Sequence, residues 1–262
     1  MFTVKEMPIF SDFGKIHNKK GLFVDEKCIN IVSDKYEIHQ PKEILATFTS
    51  VAERTGLEIS TVKTNSFNGG MLISAKYSEC FIADDKHDIN LVFYTSHCGK
   101  YRTFLTLNAL RIACFNQVPV LYKNQNRFIV AEKHYQNALD VNMIERVLEN
   151  IPASVAAYKT RADRLKDVRL TEADFVEWYV KQMKWNEDSK QFDSKVAKLR
   201  AVYRGAEGQD VAGDNTAWKG FNAVTYINTH GGKNTALREE NALIKGGDLS
   251  LKLFDNLFSL AA

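Results

Sequence analysis

One stretch, residues 89–115, constrains the fold of this chain most strongly, and it reads INLVFYTSHCGKYRTFLTLNALRIACF. Residues 89–96 are apolar and rich in β-branched and aromatic side chains, which is typical of a buried strand. The polar corner HCGK follows, and residues 101–107 predict a second strand. Apolar residues at helical spacing after it predict a helix that begins near Leu107. The stretch therefore predicts a β-hairpin that leads into a helix.

The residues before this stretch predict one helix and further strands. Apolar residues recur at helical spacing after Pro41, and Gly56 suits the C-terminal cap of that helix. The turn signal Asn68-Gly69-Gly70 joins two strand patterns. The strand patterns in this part of the chain cover 24–31, 33–39, 57–64 and 71–77. A polar loop is predicted at 84–88. We expect the strands on either side of this loop and of the Asn68-Gly69-Gly70 turn to form an antiparallel meander.

The second half of the chain predicts helices. Beyond a short strand pattern at 127–132, apolar residues recur at helical spacing from about residue 141. The sequence Thr171-Glu172-Ala173-Asp174 resembles a capping box at the start of a further helix. We therefore predict an α+β fold: an antiparallel β-meander with helices packed on one face, followed by a mostly helical C-terminal half. The predicted domains are an α+β sheet domain at 1–140 and a helical C-terminal region at 141–262 packed on it.

The charge of the chain is nearly balanced, with a formal net charge of +3 over 262 residues. This permits a local basic groove but does not require a polyanionic partner. No signal peptide is recognised, and no apolar run approaches the roughly 20 residues of a membrane helix, so we expect a cytoplasmic protein without a membrane partner. The cysteines lack CxxC or zinc-ligand spacing, which predicts reduced thiols at Cys28, Cys80, Cys98 and Cys114.

A basic and aromatic group follows the polar corner. Lys100 and Arg102 flank Tyr101, and Arg111 follows the second strand. Cations neutralise phosphates, and an aromatic ring stacks on an unpaired base for roughly 1–3 kcal/mol. The pattern therefore favours single-stranded nucleic acid as a ligand, with Lys219 as an additional contact from a C-terminal helix. The alternative is a solvated hairpin tip with one structural arginine.

Signatures of nucleotide-driven or metal-dependent catalysis are missing from the sequence. It contains no Walker A motif, no GxSxG, no HExxH and no kinase signature, so we predict no cofactor, no metal and no catalytic residue. His97 and Cys98 are neighbours on a strand, where side chains alternate between faces, and we interpret both as structural. A metal-dependent nuclease using Asp84, Asp85 or Asp88 stays open as a less favoured alternative. The chain is therefore more consistent with a binding protein than with an enzyme.

Four segments, in the same order, resemble the signature blocks of the phage/plasmid-like family of domains of unknown function, number 932. The family blocks are a VSDRY-like strand, an NSHDG-like corner, an RVVCxN-like helix and an NTxWxAxNAVTEY-like helix. The matching segments are VSDKY at 32–36, YTSHCG at 94–99, LRIACFN at 110–116 and NTAWKGFNAVT at 215–225. Cys98 stands where the family pattern usually has Asp, so a role of that acid does not carry over.

The resemblance implies a bacteriophage or mobile-element context without a settled activity. The order of an antiparallel meander and a basic helix is also similar to the Rad/Redβ-type single-strand annealing proteins, which implies ATP-independent binding of single-stranded DNA by rings or filaments. The leading hypothesis is a phage-type annealing protein in recombination or replication, acting as a homo-oligomer, with a host or phage replication protein as a further candidate partner. The alternative is a phage interaction protein that binds a host factor without nucleic-acid activity, which the aromatic-rich helices around Trp178 and Trp218 would serve.

Overall fold

Two β-sheets occupy the N-terminal half of the structure, which is a computed structural model. It describes residues 1–65, 69–99, 103–113, 117–120, 128–132, 147–206, 209, 213–230 and 247–261. The strands are β1 (Lys5–Ser11), β2 (Gly14–Val24), β3 (Lys27–Ser33), β4 (Glu58–Asn65), β5 (Gly70–Ile82), β6 (Asp85–Ser96), β7 (Thr103–Arg111), β8 (Gln117–Val120) and β9 (Phe128–Glu132). Strands β1 to β3 form the first sheet in that order. The second sheet has the order β4 to β8, with β9 paired to β7.

The first sheet is an antiparallel meander whose outer hairpin, β1 and β2, is exposed to solvent along most of its length. Ser11 pairs with Gly14 across the turn, and the φ of 108° at Gly14 favours glycine. The register shifts between Pro8 and Phe10, which marks a bulge in the edge strand. The base of this sheet is held by a cluster of three buried apolar side chains, Val4, Leu22 and Val24.

Helix α1 (Pro41–Thr55) packs on the edge strand β4 of the second sheet. It begins with Pro41 and ends at Gly56, which takes the left-handed conformation with a φ of 73°. Its apolar residues fall on one buried face, and the ring of Phe48 lies 5.2 Å from that of Phe93 on β6. The helix and the cap predicted from the spacing after Pro41 are therefore confirmed.

The second half of the chain is mostly helical. The helices are α2 (Ile151–Asp167), α3 (Glu172–Met183), α4 (Phe192–Gly205), α5 (Ala217–His230) and α6 (Gly247–Phe258). The capping box at the start of α3 is present: Asp174 N donates to Thr171 Oγ1 at 3.2 Å, and Thr171 N donates to Asp174 Oδ2 at 3.2 Å. The α+β fold with a helical C-terminal half is thus confirmed. No helix among the described residues is long and apolar enough to cross a membrane.

The chain divides into two compact units that interleave along the sequence. Unit 1 comprises Met1–Tyr77, Asn90–Leu107 and Gln125–Pro152, and unit 2 comprises Ser78–Ile89, Asn108–Asn124 and Ala153–Ala262. Strands β5, β6 and β7 each contribute residues to both units. This interleaved division differs from the single boundary after residue 140 that is predicted from the sequence.

The helix predicted to begin near Leu107 is a strand instead. Strand β7 continues to Arg111, and the backbone N–H of Ile112 donates to the carbonyl of Lys86 on β6 at 3.0 Å. Nearly every residue of β7 is buried, so the alternation that identifies a half-exposed strand is hidden in its sequence. Pairing with neighbouring strands overrides the helical spacing of the apolar residues here.

The segment after β3 is also different from its prediction. Residues 34–40 form a turn and an extended segment outside the sheets, because Tyr36 N donates back to the carbonyl of Ser33 at 3.1 Å.

The predicted loop at 84–88 shrinks to a tight turn at Ala83 and Asp84, whose φ values are 50° and 62°. Strand β6 then begins at Asp85, which places this residue inside the sheet.

Candidate nucleic-acid interface

The polar corner after β6 rests on hydrogen bonds from two other segments of unit 1. The side-chain amide of Asn30 on β3 donates to the carbonyl of His97 at 2.9 Å. A Cβ atom added at Gly99, whose φ is 74°, would lie 2.8 Å from that same amide nitrogen. The backbone of the corner therefore sits directly against Asn30, and glycine at position 99 permits this approach.

The buried imidazole of His97 is the hub of the corner. Its Nε2 lies 3.1 Å from the carbonyl oxygen of His39, and its Nδ1 lies 2.9 Å from the hydroxyl of Tyr36. Because a carbonyl only accepts, Nε2 carries the proton, and Nδ1 accepts from the tyrosine hydroxyl. These contacts join the VSDKY and TSHCG segments of the sequence. They fix the ring in one tautomer and one orientation.

Burial controls the charge of this imidazole. Desolvation lowers the pKa of His97 to about 4, against the opposing effect of the hydrogen bond to His39. The ring is therefore neutral at pH 7. Both of its nitrogens are occupied by hydrogen bonds within unit 1, which suits the structural role interpreted from the sequence.

The side chain of Cys98 turns to Ser96. Its Sγ lies 3.1 Å from Ser96 Oγ, and its backbone N–H donates to the same oxygen at 3.4 Å. Cys98 is a free thiol, as are Cys28 and Cys80. The serine hydroxyl thus braces the turn that follows β6.

Three of the five residues predicted to contact nucleic acid, Lys100, Tyr101 and Arg102, lie outside the described residues. The structure describes the chain on both sides of them. Gly99 closes the corner, and Thr103 opens β7, with its hydroxyl 2.8 Å from that of Thr95. The described segments on either side of the predicted triplet are therefore held by hydrogen bonds.

Arg111, the fourth predicted residue, lies inside unit 2. Its side chain is only 1% exposed, and its Nε donates to Asp85 Oδ2. The carboxylate balances the guanidinium charge in a buried ion pair. This arrangement does not present Arg111 to a phosphate at the surface, and it also occupies one of the three aspartates considered for a metal site.

Lys219, the fifth predicted residue, is engaged within unit 2 as well. Its Nζ lies 2.7 Å from Asp214 Oδ1 and 5.4 Å from the centroid of the Tyr203 ring. The ammonium group lowers the pKa of Asp214 through this hydrogen bond. The side chain is 9% exposed. The structure thus gives Arg111 and Lys219 separate acidic partners.

A second buried imidazole, His87, lies beside the ion pair in unit 2. Its Nδ1 donates to the carbonyl of Asp85 at 2.9 Å, and its ring centroid lies 6.3 Å from that of Trp218. Within the described part of the chain, His87 Nε2 and Trp218 Nε1 have no hydrogen-bond partner. Burial lowers the pKa of His87 to about 4, so this ring is neutral at pH 7.

Two of the three aspartates considered for a metal site, Asp84 and Asp85, are paired with cations. Asp84 binds Lys166, and Asp85 binds Arg111. Across the residues that the structure describes, no three His, Cys, Asp or Glu side chains are grouped so that they could hold a metal ion. The geometry therefore adds nothing in favour of the nuclease alternative.

One exposed feature has no counterpart in the sequence interpretation. The turn of the first hairpin carries Phe13, whose side chain is 102% exposed, and Phe10 beside it is 69% exposed. Basic residues follow directly along β2, as the sequence FSDFGKIHNKK shows. The signal in the sequence is a phenylalanine inside a polar turn next to a lysine-rich run, where no strand pattern is obvious.

Comparison with family models matches residues 28–248 to the family described as a domain of unknown function (DUF932). The match covers all four signature segments, and the first hairpin precedes it. Comparison with curated proteins finds no significant match, and comparison with solved structures finds none either. The resemblance to single-strand annealing proteins therefore stays a prediction. With most of its length matched, the chain belongs to the DUF932 family.

Proposed function

We propose that this protein binds single-stranded DNA without ATP and promotes strand annealing in phage recombination or replication. The observation that supports it best is the corner at residues 97–99. Hydrogen bonds from Asn30 and Tyr36 hold its base, and the basic-aromatic triplet comes directly after it. A cation–aromatic–cation sequence directly after a hydrogen-bonded corner offers two charges for phosphates and one ring for an unpaired base.

The proposed contact site contains fewer residues than the sequence pattern suggests. Arg111 is buried against Asp85, and the nearly buried Lys219 is paired with the exposed Asp214, so we assign the phosphate contacts of the corner to Lys100 and Arg102 alone. Tyr101 is assigned to base stacking. Because stacking on an aromatic ring tolerates every base, the corner would bind single strands with little sequence preference. Such binding suits annealing, which must accept any sequence.

The first test is binding of a labelled oligothymidine by fluorescence anisotropy across a series of salt concentrations. Tyr101→Ala should weaken binding about 5- to 150-fold, the equivalent of one stacked base. Lys100→Ala/Arg102→Ala should lower the slope of log affinity against log salt by about 1.4, since each phosphate contact on a single strand contributes about 0.7. The matched control, Lys42→Ala/Lys198→Ala, removes two exposed lysines of α1 and α4 and should leave the slope unchanged.

Annealing itself is measured by the pairing of two complementary labelled strands in the absence of any nucleotide. The wild-type protein should accelerate pairing, and the corner variants should lose that acceleration in proportion to their loss of affinity. If the wild-type protein shows no binding to single strands even at low salt, the proposed function is wrong.

A further inference from the structure

We infer that the hairpin arm, defined as residues 5–20 of β1 and β2, is a second contact surface for the same single strand, on which Phe13 stacks with a base. This inference rests on the proposed function, because it names another surface for the ligand proposed there. The arm precedes the segment that matches the family, so it is a feature of this chain outside the family's signature blocks.

The position of Phe13 is the first argument. Its backbone N–H donates to Ser11 Oγ at 3.3 Å, and that hydroxyl in turn donates to the carbonyl of Gly14 at 3.3 Å. The turn is therefore organised by its own hydrogen bonds while the phenyl ring lies wholly in solvent. Burying such a ring gains roughly 1.5–3 kcal/mol, which the isolated protein does not obtain. A hydrogen-bonded turn that displays a bare ring is suited to a partner with a flat apolar face.

The charge of the arm is the second argument. It carries four lysines against two acidic residues, a net charge of +2 with His17 neutral, whereas the whole chain has a net charge of +3. Lys20 is paired with Glu6 at 2.5 Å. The remaining lysines of the arm have no ion pair among the described residues, and they are Lys5, Lys15 and Lys19. The arm thus concentrates most of the positive charge that the chain does not balance.

The register of the hairpin combines these two properties. Phe10 lies directly opposite Lys15, so the two side chains share one face of the ribbon next to the turn. An exposed ring beside an exposed lysine repeats the residue types of the Lys100-Tyr101-Arg102 triplet. Single-stranded nucleic acid offers both an anionic backbone and stacking faces.

The arm and the corner are parts of the same first unit and are linked through the first sheet. Strand β3 supplies Asn30 to the carbonyl of His97, and β3 pairs with β2 of the arm. From the pair Glu6–Leu22 at the base to Ser11 at the turn, β1 extends roughly 17 Å at about 3.3 Å per residue. An extended strand bound at the corner therefore has a second, connected surface along which to continue.

The test compares hairpin variants of the full chain on oligothymidine and on an abasic strand of the same length. Phe13→Ala should weaken oligothymidine binding about 5- to 150-fold, and Phe13→Leu should weaken it similarly, because both lack a ring for stacking. Phe13→Trp should retain affinity. None of these variants should change the affinity for the abasic strand. Since the ring is fully exposed, folding should be unaffected. Phe81→Ala removes a 61% exposed phenylalanine of unit 2 and serves as the matched control, with no effect expected.

The charge of the arm is tested separately. Lys15→Ala/Lys19→Ala should reduce the salt slope by about 1.4, whereas the control Lys42→Ala/Lys198→Ala should not. Equal slopes for the two double variants would contradict phosphate contacts by the arm.

Other occupants of the arm give different results. If Phe13→Leu binds oligothymidine as the wild type does, and Phe13→Ala loses binding to anionic vesicles, the arm contacts a membrane surface. This result overturns the inference. If Phe13→Ala changes the molar mass in light scattering and leaves DNA affinity intact, the arm joins two copies of the chain, which also overturns it. If only the corner variants lose affinity for oligothymidine, the arm is not part of the interface and the proposed function stands. If the wild-type protein does not bind oligothymidine, the proposed function and the inference about the arm are both wrong.

Discussion

The two units of this protein each contain a buried histidine, and the two histidines differ in what surrounds them. Burial lowers the pKa of both His97 and His87 to about 4. His97 uses both ring nitrogens in hydrogen bonds, whereas His87 uses one and lies with its ring tilted near that of Trp218. Burial is thus the largest cause of the neutral charge of both imidazoles, while their hydrogen-bond partners determine whether the ring organises a backbone segment.

The polar partners of the two histidines differ in the same way. Unit 1 gives His97 two neutral partners, the hydroxyl of Tyr36 and the backbone carbonyl of His39. Unit 2 places His87 beside an ionised pair, Asp85 and Arg111, and near polar atoms without partners among the described residues. The stability of the unit 2 cluster should therefore depend on balanced charge, and that of the corner on matched neutral hydrogen bonds.

The largest effect should come from the ion pair of unit 2. Arg111→Met leaves the carboxylate of Asp85 buried without its cation, which should lower the free energy of unfolding by about 3–5 kcal/mol. Adding Asp85→Leu removes the unbalanced charge and should restore most of that loss. Urea denaturation of the two variants and the wild type measures both values. A single variant as stable as the wild type would mean that the pair contributes little.

Acidification should reduce the stability contributed by each of the two histidines by a similar amount. It thus tests the claim that burial sets their charge. A lowered pKa means that the unfolded chain binds protons in a range where the folded chain does not, so stability falls as the pH drops from about 6.5 to about 4. Each histidine should contribute up to about 3 kcal/mol to that loss. His97→Gln and His87→Gln should each flatten the pH dependence of urea unfolding by a similar amount. If only one variant does so, the two environments differ in polarity as well as in partners.

The smallest effect should come from a pair of tyrosine hydroxyls. Tyr36→Phe removes the donor to His97 Nδ1 and should cost about 1 kcal/mol. Tyr158→Phe in unit 2 removes a buried hydroxyl that has no partner among the described residues, so it should be neutral or stabilising. Thermal or urea unfolding compares the two. Equal losses would indicate that the Tyr158 hydroxyl is satisfied in solution, for instance by a water molecule.

Local signals were sufficient to predict some elements from the sequence. Helix α1 follows from Pro41, Gly56 and the apolar spacing between them, and the capping box of α3 follows from Thr171 and Asp174. These signals involve residues within a few positions of one another, where backbone hydrogen bonding and side-chain capping decide the conformation. The α+β class follows from the order of such elements.

Distant partners could not be predicted in the same way. Arginine commonly binds phosphates, so the sequence favours that role for Arg111. Only the fold shows that Arg111 is paired with Asp85, twenty-six residues earlier in sequence. The continuation of β7 past Leu107 likewise depends on its neighbours in the sheet. For Phe13, the sequence shows a phenylalanine in a polar turn, but exposure is a property of the folded chain and has no local signature.

The bulge at Pro8 has a consequence for the solubility of the protein. Strand β1 forms an edge of its sheet, and the arm displays apolar side chains that would favour the addition of further strands. Proline offers no N–H to an incoming chain, and the shifted register between Pro8 and Phe10 interrupts the regular row of backbone groups. The protein can therefore expose aromatic residues on a β-ribbon while limiting edge-to-edge aggregation at the strand that carries one of them.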